Sequence, residues 1–191
     1  MKATGEVMGI GATLEECMLK SVRSLEIGVC HFAMKKFDGW TKERLEEYIK
    51  EFHDDTIYAI FEYFWLGGTV EAVHEMTKIT VLFLESFMRI IEMEKKLAAS
   101  PGDLALLLEA KRMGFCDKYV AKLWKTDELS VYRTRKENGI TPAFRMVDTL
   151  HTGVYIPYLY SSYSGKNDSR LSDKKKIVVL GAGPRRIGQG G

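Results

Sequence analysis

A mainly helical fold, an irregular multi-helix domain with short strands only at its ends, is what this sequence predicts, and three observations carry it. Apolar residues recur at three- and four-residue intervals in successive segments between Thr13 and Glu137, the spacing that lines one side of an α-helix. Most of these segments open on threonine or aspartate and close on glycine, the residues that satisfy and terminate helix ends. Strand-like patterning is confined to short stretches near the two termini.

Thr4-Gly5-Glu6-Val7-Met8-Gly9-Ile10-Gly11 reads as a strand or extended arm, because glycines bracket a short apolar run. Thr13 and Glu16 then make a capping box that starts a helix carrying Leu14, Cys17, Met18, Val22 and Leu25, with Gly28 placed to stop it. Beyond Asp38-Gly39 a second helix begins near Thr41 and sets Leu45, Tyr48, Ile49 and Phe52 on one side. Asp54 or Asp55 can cap a third, which is apolar on most sides from Ile57 to Leu66 and ends at Gly67-Gly68; such a helix belongs at the core or at a subunit contact. Thr69 caps a short fourth helix. The fifth and longest runs from about Thr80 to Ala98, with Leu84, Phe87, Met88, Ile91 and Leu97 facing inward and Glu92, Glu94, Lys95 and Lys96 in water, until Ser100-Pro101-Gly102 breaks it. Three shorter helices follow, from Asp103 to Met113, Asp117 to Trp124, and about Asp127 to Glu137.

The character changes after Pro142. Val154 to Tyr160 is aromatic and extended, and Pro157 limits any strand there to an edge. Ser161 to Asp173 is polar and reads as a linker. Lys176-Ile177-Val178-Val179-Leu180 is a β-branched strand entering a glycine-rich turn, Gly181-Ala182-Gly183-Pro184-Arg185-Arg186-Ile187-Gly188-Gln189-Gly190, the way a doubly wound α/β domain opens. A lone parallel-type strand cannot satisfy its backbone, so the reading is a chain cut just inside a following domain.

Composition narrows the function. The 191 residues are 46% hydrophobic and 28% charged, with 28 Lys+Arg against 26 Asp+Glu, a balance that lacks the basic excess of a nucleic-acid binder. Cys17, Cys30 and Cys116 show no zinc or redox spacing and read as buried free thiols. No apolar run reaches the roughly 20 residues that span a bilayer, so the sequence predicts a cytoplasmic protein without membrane contact.

No motif assembles a catalytic site. His31, His53, His74 and His151 are scattered, and Lys78 stands where a zinc-protease motif starting at His74 needs its second histidine. The terminal loop departs from a dinucleotide fingerprint because Arg186 occupies the third glycine position. Its candidate phosphate-binding residues are Gly181, Gly183, Arg185, Arg186, Gly188 and Gln189, and a phosphate- or nucleotide-binding fragment acting through them is the alternative reading. No catalytic and no metal-binding residue is expected. The aromatic and methionine content, Phe61, Tyr63, Phe64, Trp65, Phe83, Phe87, Met88 and Met93, reads at any one position as core before interface, but several small helices can hide only part of it, and surplus apolar area is what association buries.

Three stretches taken together resemble the carbamoyl phosphate synthetase large-subunit family. They are Thr4 to Gly11 leading into the Thr13 helix, Arg145-Met146-Val147-Asp148-Thr149 followed by Tyr158 to Tyr163, and Val179 to Pro184 with Arg186 to Gly190. The resemblance implies the helical oligomerisation domain that joins two homologous ATP-grasp halves. Residues 1–11 would end the preceding half, 12–152 form the helical domain, 153–173 an extended segment and linker, and 174–191 the first strand and glycine loop of the following domain. It further implies a parent ligase making carbamoyl phosphate from bicarbonate, glutamine-derived ammonia and ATP for arginine and pyrimidine synthesis. ATP with Mg or Mn would bind outside this segment, and the partners would be further copies of the chain, the flanking synthetase halves and a glutaminase small subunit. The expected contact surface uses apolar residues of the Thr13 helix and of the helices containing Phe61 to Leu66 and Phe83 to Ile91.

Overall fold

The computed structural model describes residues 7–25, 27–147 and 153–179. Among them are eight α-helices: α1 (Leu14–Ser24), α2 (Lys42–Glu51), α3 (Thr56–Trp65), α4 (Val70–Thr77), α5 (Val81–Ala99), α6 (Leu104–Arg112), α7 (Asp117–Trp124) and α8 (Glu128–Glu137). A 3-10 turn, Lys35–Phe37, lies between α1 and α2. The mainly helical class predicted from the sequence is the class observed, and each of the eight helical segments forms.

The caps explain most of the boundaries. Thr13, Thr41 and Thr69 accept from the N–H three residues on, at 3.2, 3.3 and 3.2 Å, and Asp103 and Asp127 do the same at 3.0 and 2.9 Å. Each satisfies one of the donors that a helix start leaves without an intrahelical partner. The box at Thr13 closes with a variation, since the Glu16 carboxylate reaches back to the N–H of Ala12 at 2.7 Å. At α3 the expected cap fails. Asp55 makes no capping bond there because its carboxylate is held by Lys36 and the Tyr48 hydroxyl, both at 2.5 Å.

Helix α5 is the central element and packs against α1, α3, α4, α6 and α7. The core it organises is aromatic: Phe32 stands edge-on to Phe87 at 4.8 Å and stacks on Phe61 at 5.6 Å, separations at which such rings attract. Glu92, Lys95 and Lys96 are exposed as expected, but the placement of Glu94 in water is corrected: it is 2% exposed, packed against the buried His31. Phe52 is also corrected. Helix α2 ends before it, Phe52 takes a left-handed conformation (φ 55°) at the C-cap, and its ring lies exposed rather than on the apolar side.

Two strands, β1 (Ala143–Met146) and β2 (Leu159–Ser162), pair antiparallel with Ala143 opposite Ser162 and Met146 opposite Leu159. The pairing joins part of the expected helical domain to part of the expected extended segment. Strand β2 begins two residues beyond Pro157, so the missing N–H of proline lies outside the ladder. The polar stretch read as a linker is structural here, since Asn167 and Asp168 accept from the N–H groups of Phe144 and Met146 at 3.0 Å each. These bonds occupy donors that an edge strand would otherwise present to other chains. The described parts of the two expected terminal strands, residues 7–11 and 176–179, form no ladder. A strand needs a neighbour to satisfy its backbone, and Ile177, Val178 and Val179 are exposed with no sheet beside them.

Candidate functional site

The described residues hold His31, His53 and His74 in three separate surroundings. No three His, Cys, Asp or Glu side chains among them come together as a metal would need. His31 is buried against Glu94, with the Tyr119 ring stacked on it at 3.8 Å. His53 lies by Glu51 and stacks on Tyr48, and His74 bonds the carbonyl of Ile79 at 2.7 Å. His151 and the whole terminal-loop set, Gly181, Gly183, Arg185, Arg186, Gly188 and Gln189, lie outside the described residues.

Two clefts flank α1. The larger, about 430 Å³, runs between α1 and β2 past Met8, Lys20, Arg23 and Tyr160. The smaller, about 270 Å³, is rich in charge, with Lys20, Arg23, Lys111 and Arg135 facing Glu16, Asp117 and Glu128. These charges answer one another. Asp117 holds both Lys111 and Arg135 at 2.7 Å, Lys20 holds Glu16 at 2.8 Å, and Arg23 donates to the carbonyl of Gly114 at 2.8 Å. Burial pushes the Lys111 ammonium down from its ordinary value, and Asp117 opposes that shift. The cleft is thus built as internal bonding, with its cations already committed.

Gly114 shows how closely the walls approach. It sits at φ +94°, which disfavours any side chain, and a Cβ there would stand 3.0 Å from Glu16 Cα. The α6–α7 junction therefore lies directly on α1.

What the molecule leaves open is apolar. At the start of α5, Leu82 is 57% exposed and Phe83 44%, with Val81 beside them. On α3, Ile57 and Trp65 are exposed as well, with Leu66 at its C-cap. The ring contact of Phe61 with Phe87 and the position of Lys95 over Trp65 advance along both helices in the same direction. Helices α3 and α5 therefore lie alongside one another, with Ile57 and Phe83 one turn earlier on each. This gives the surface expected from the sequence a narrower composition. In α1, Leu19 and Val22 are sealed in the core, and so are Phe61, Phe64, Phe87 and Ile91, leaving Trp65, Leu66 and Phe83 exposed from the expected helices, and Ile57, Val81 and Leu82 exposed as well. Alternation of buried and exposed positions within an apolar helix carries no signal in a single sequence, so the division needed the fold.

The cysteines also depart from expectation. None of the three is sealed in the core; Cys17, Cys30 and Cys116 are free thiols of intermediate exposure.

No helix among the described residues is long and apolar enough to cross a membrane. The sequence model of the carbamoyl-phosphate synthetase large chain, oligomerisation domain, matches residues 6–139, a span that starts at the residue before Val7 and closes at the glycine after α8. With all eight helices inside that match, the chain belongs to the family of carbamoyl-phosphate synthetase large-chain oligomerisation domains.

Proposed function

We propose that this chain is the self-association and spacing segment of a carbamoyl phosphate synthetase large subunit and performs no chemistry of its own. One observation carries the reading: the apolar run Val81-Leu82-Phe83 lies exposed at the start of α5. Apolar area on a surface is unfavourable at roughly 25 cal/mol per Å², a penalty that association removes. A monomer rarely keeps such residues contiguous without use for them. A second copy of the chain is the partner that the family's oligomerisation role suggests.

In this reading the parent ligase forms carbamoyl phosphate from bicarbonate, glutamine-derived ammonia and ATP for arginine and pyrimidine synthesis. Nucleotide and its Mg or Mn belong to flanking synthetase halves, ammonia comes from a glutaminase subunit, and the assembly is cytoplasmic. The phosphate-binding alternative is the less favoured reading, because the family match covers the helical domain and stops at residue 139, short of the loop on which that alternative rests.

Sedimentation equilibrium over a wide concentration range tests the proposal. The expected result is a reversible dimer or larger species for the chain and a monomer of native helicity for Phe83→Asp. An unchanged mass for a folded Phe83→Asp removes this face, and a strict monomer of the unaltered chain removes self-association and leaves spacing alone.

A further inference from the structure

We propose that the outer edge of β2 is a docking site for an extended acidic segment of a partner chain, which adds to the sheet as a further strand in the larger cleft. The direction of the backbone groups follows from the bonds that β1 makes. Phe144 and Met146 turn their N–H groups away from β2, to Asn167 and Asp168, and the Phe144 carbonyl accepts on that same side from the N–H of Asp168 at 2.8 Å. Residues that bond across an antiparallel ladder alternate with residues that do not, so Ala143 and Arg145 are the ones that bond to β2, through Ser162 and Tyr160. Val147 continues the alternation by donating to the carbonyl of Tyr158 at 3.0 Å.

The residues opposite Phe144 and Met146 are Ser161 and Leu159, and their N–H and C=O groups therefore point out of the sheet. The Ser161 carbonyl does so visibly, since it accepts from Lys20 on α1 at 2.6 Å. The remaining three groups, the N–H and carbonyl of Leu159 and the N–H of Ser161, bond no other described residue. Asn167 and Asp168 cover the edge of β1, and the edge of β2 is left open. An open edge is a template on which an extended chain can add by main-chain bonds.

This edge borders the cleft of about 430 Å³, which Leu159 and Ser161 line together with Met8, Ile10, Lys20 and Arg23. Its charge selects the partner. The lining holds two cations and, among the described residues, no carboxylate. Lys20 is answered by Glu16 at 2.8 Å. Arg23 donates to the carbonyl of Gly114, a neutral group, and the carboxylate whose field reaches it, Glu16, is the one that Lys20 already holds. A half-buried guanidinium without a carboxylate of its own favours an anionic partner over a cationic one. Met8 and Tyr158, both exposed, offer apolar contact to the rest of the segment.

The test uses the intact chain, amide exchange read residue by residue by NMR, and a blocked pentapeptide of alternating valine and glutamate as probe. In the free chain the amides of Leu159 and Ser161 should exchange faster than those of Tyr160 and Ser162. With the peptide at ten times its Kd, the Leu159 and Ser161 amides should slow about tenfold. A peptide with lysine in place of glutamate should bind about fivefold more weakly, a preference that Arg23→Gln should remove. A peptide with N-methylated valines, which lacks the donors for the Leu159 carbonyl, should not bind. Leu159 and Ser161 amides already as protected as their neighbours in the free chain, or no slowing at a peptide concentration of about 1 mM, overturns the proposal. Equal binding of the glutamate and lysine peptides overturns the acidic partner, and so does protection that rises with the concentration of the chain alone, because a second copy then takes the edge. None of these outcomes depends on how the variant folds.

Discussion

Glu62 on α3 carries a charge that the fold disfavours. Burial raises its carboxyl above the ordinary value, the like charges of Asp38 and Glu94 add to the rise, and Lys122 only partly opposes it. For a carboxyl raised on folding, the stabilising contribution is fully present below the unfolded-state value and is lost as pH rises through the folded-state one. At neutral pH the ionised Glu62 therefore weakens the fold. Glu62→Gln keeps the shape and removes the charge, so its thermal midpoint should exceed that of the unaltered chain at pH 7. The gain should be below about 1 kcal/mol because the site is partly solvated, and it should vanish by about pH 4. Equal midpoints at both pH values would show that the burial is not felt. Glu62 is marked in the sequence as the one charge inside the apolar run from Ile57 to Leu66, whereas nothing there separates the buried Glu94 from the exposed Glu92; only the packing of α5 does.

Helix ends were the most legible features, because a cap is a bond between residues three apart. Thr13, Thr41, Thr69, Asp103 and Asp127 all make the bond that their spacing implies. Where a distant group competes, local reasoning fails, as at Asp55, which Lys36 and Tyr48 claim. Asp117 shows the same competition at the level of elements. It opens α7 with a negative charge in the first turn, which suits the helix dipole, and it also bonds Lys111 of α6 and Arg135 of α8. Three consecutive helices are thereby pinned by one carboxylate that is itself nearly buried. Asp117→Ala should cost about 3–5 kcal/mol, the scale for leaving a buried charge unpaired. Asp117→Asn, which keeps an acceptor, should cost less. Urea unfolding of both variants checks this, and a loss under about 1 kcal/mol for Asp117→Ala would show that Lys111 finds another partner or sheds its proton.

At the scale of the whole molecule, a hub on α1 bonds the helical body to the two-stranded sheet. Lys20 Nζ donates to the carbonyls of Ile10 and Ser161, both at 2.6 Å, while pairing with Glu16. The fully buried Glu16 in turn accepts from Ala12 N–H and from the Ser162 hydroxyl at 3.2 Å. The bond from Lys20 to Ser161 spans 141 positions, and no period, cap or turn signal reports a contact of that range. The strand at Ala143–Met146 went unread for the same reason: its partner lies beyond a long connection rather than a tight turn. Because bonds to a charged group contribute roughly 1.5–3 kcal/mol, Lys20→Met should lower the free energy for local opening of β1 and β2 by about that amount. Their amides should then exchange roughly tenfold to a hundredfold faster. The amides of α5, packed against five other helices, should keep their protection. Hydrogen exchange resolved by peptide distinguishes the outcomes. Faster exchange confined to residues 143–146 and 159–162 means that the sheet is held on by this hub. An equal rise in α5 would mean that the sheet and the helical body unfold as one unit.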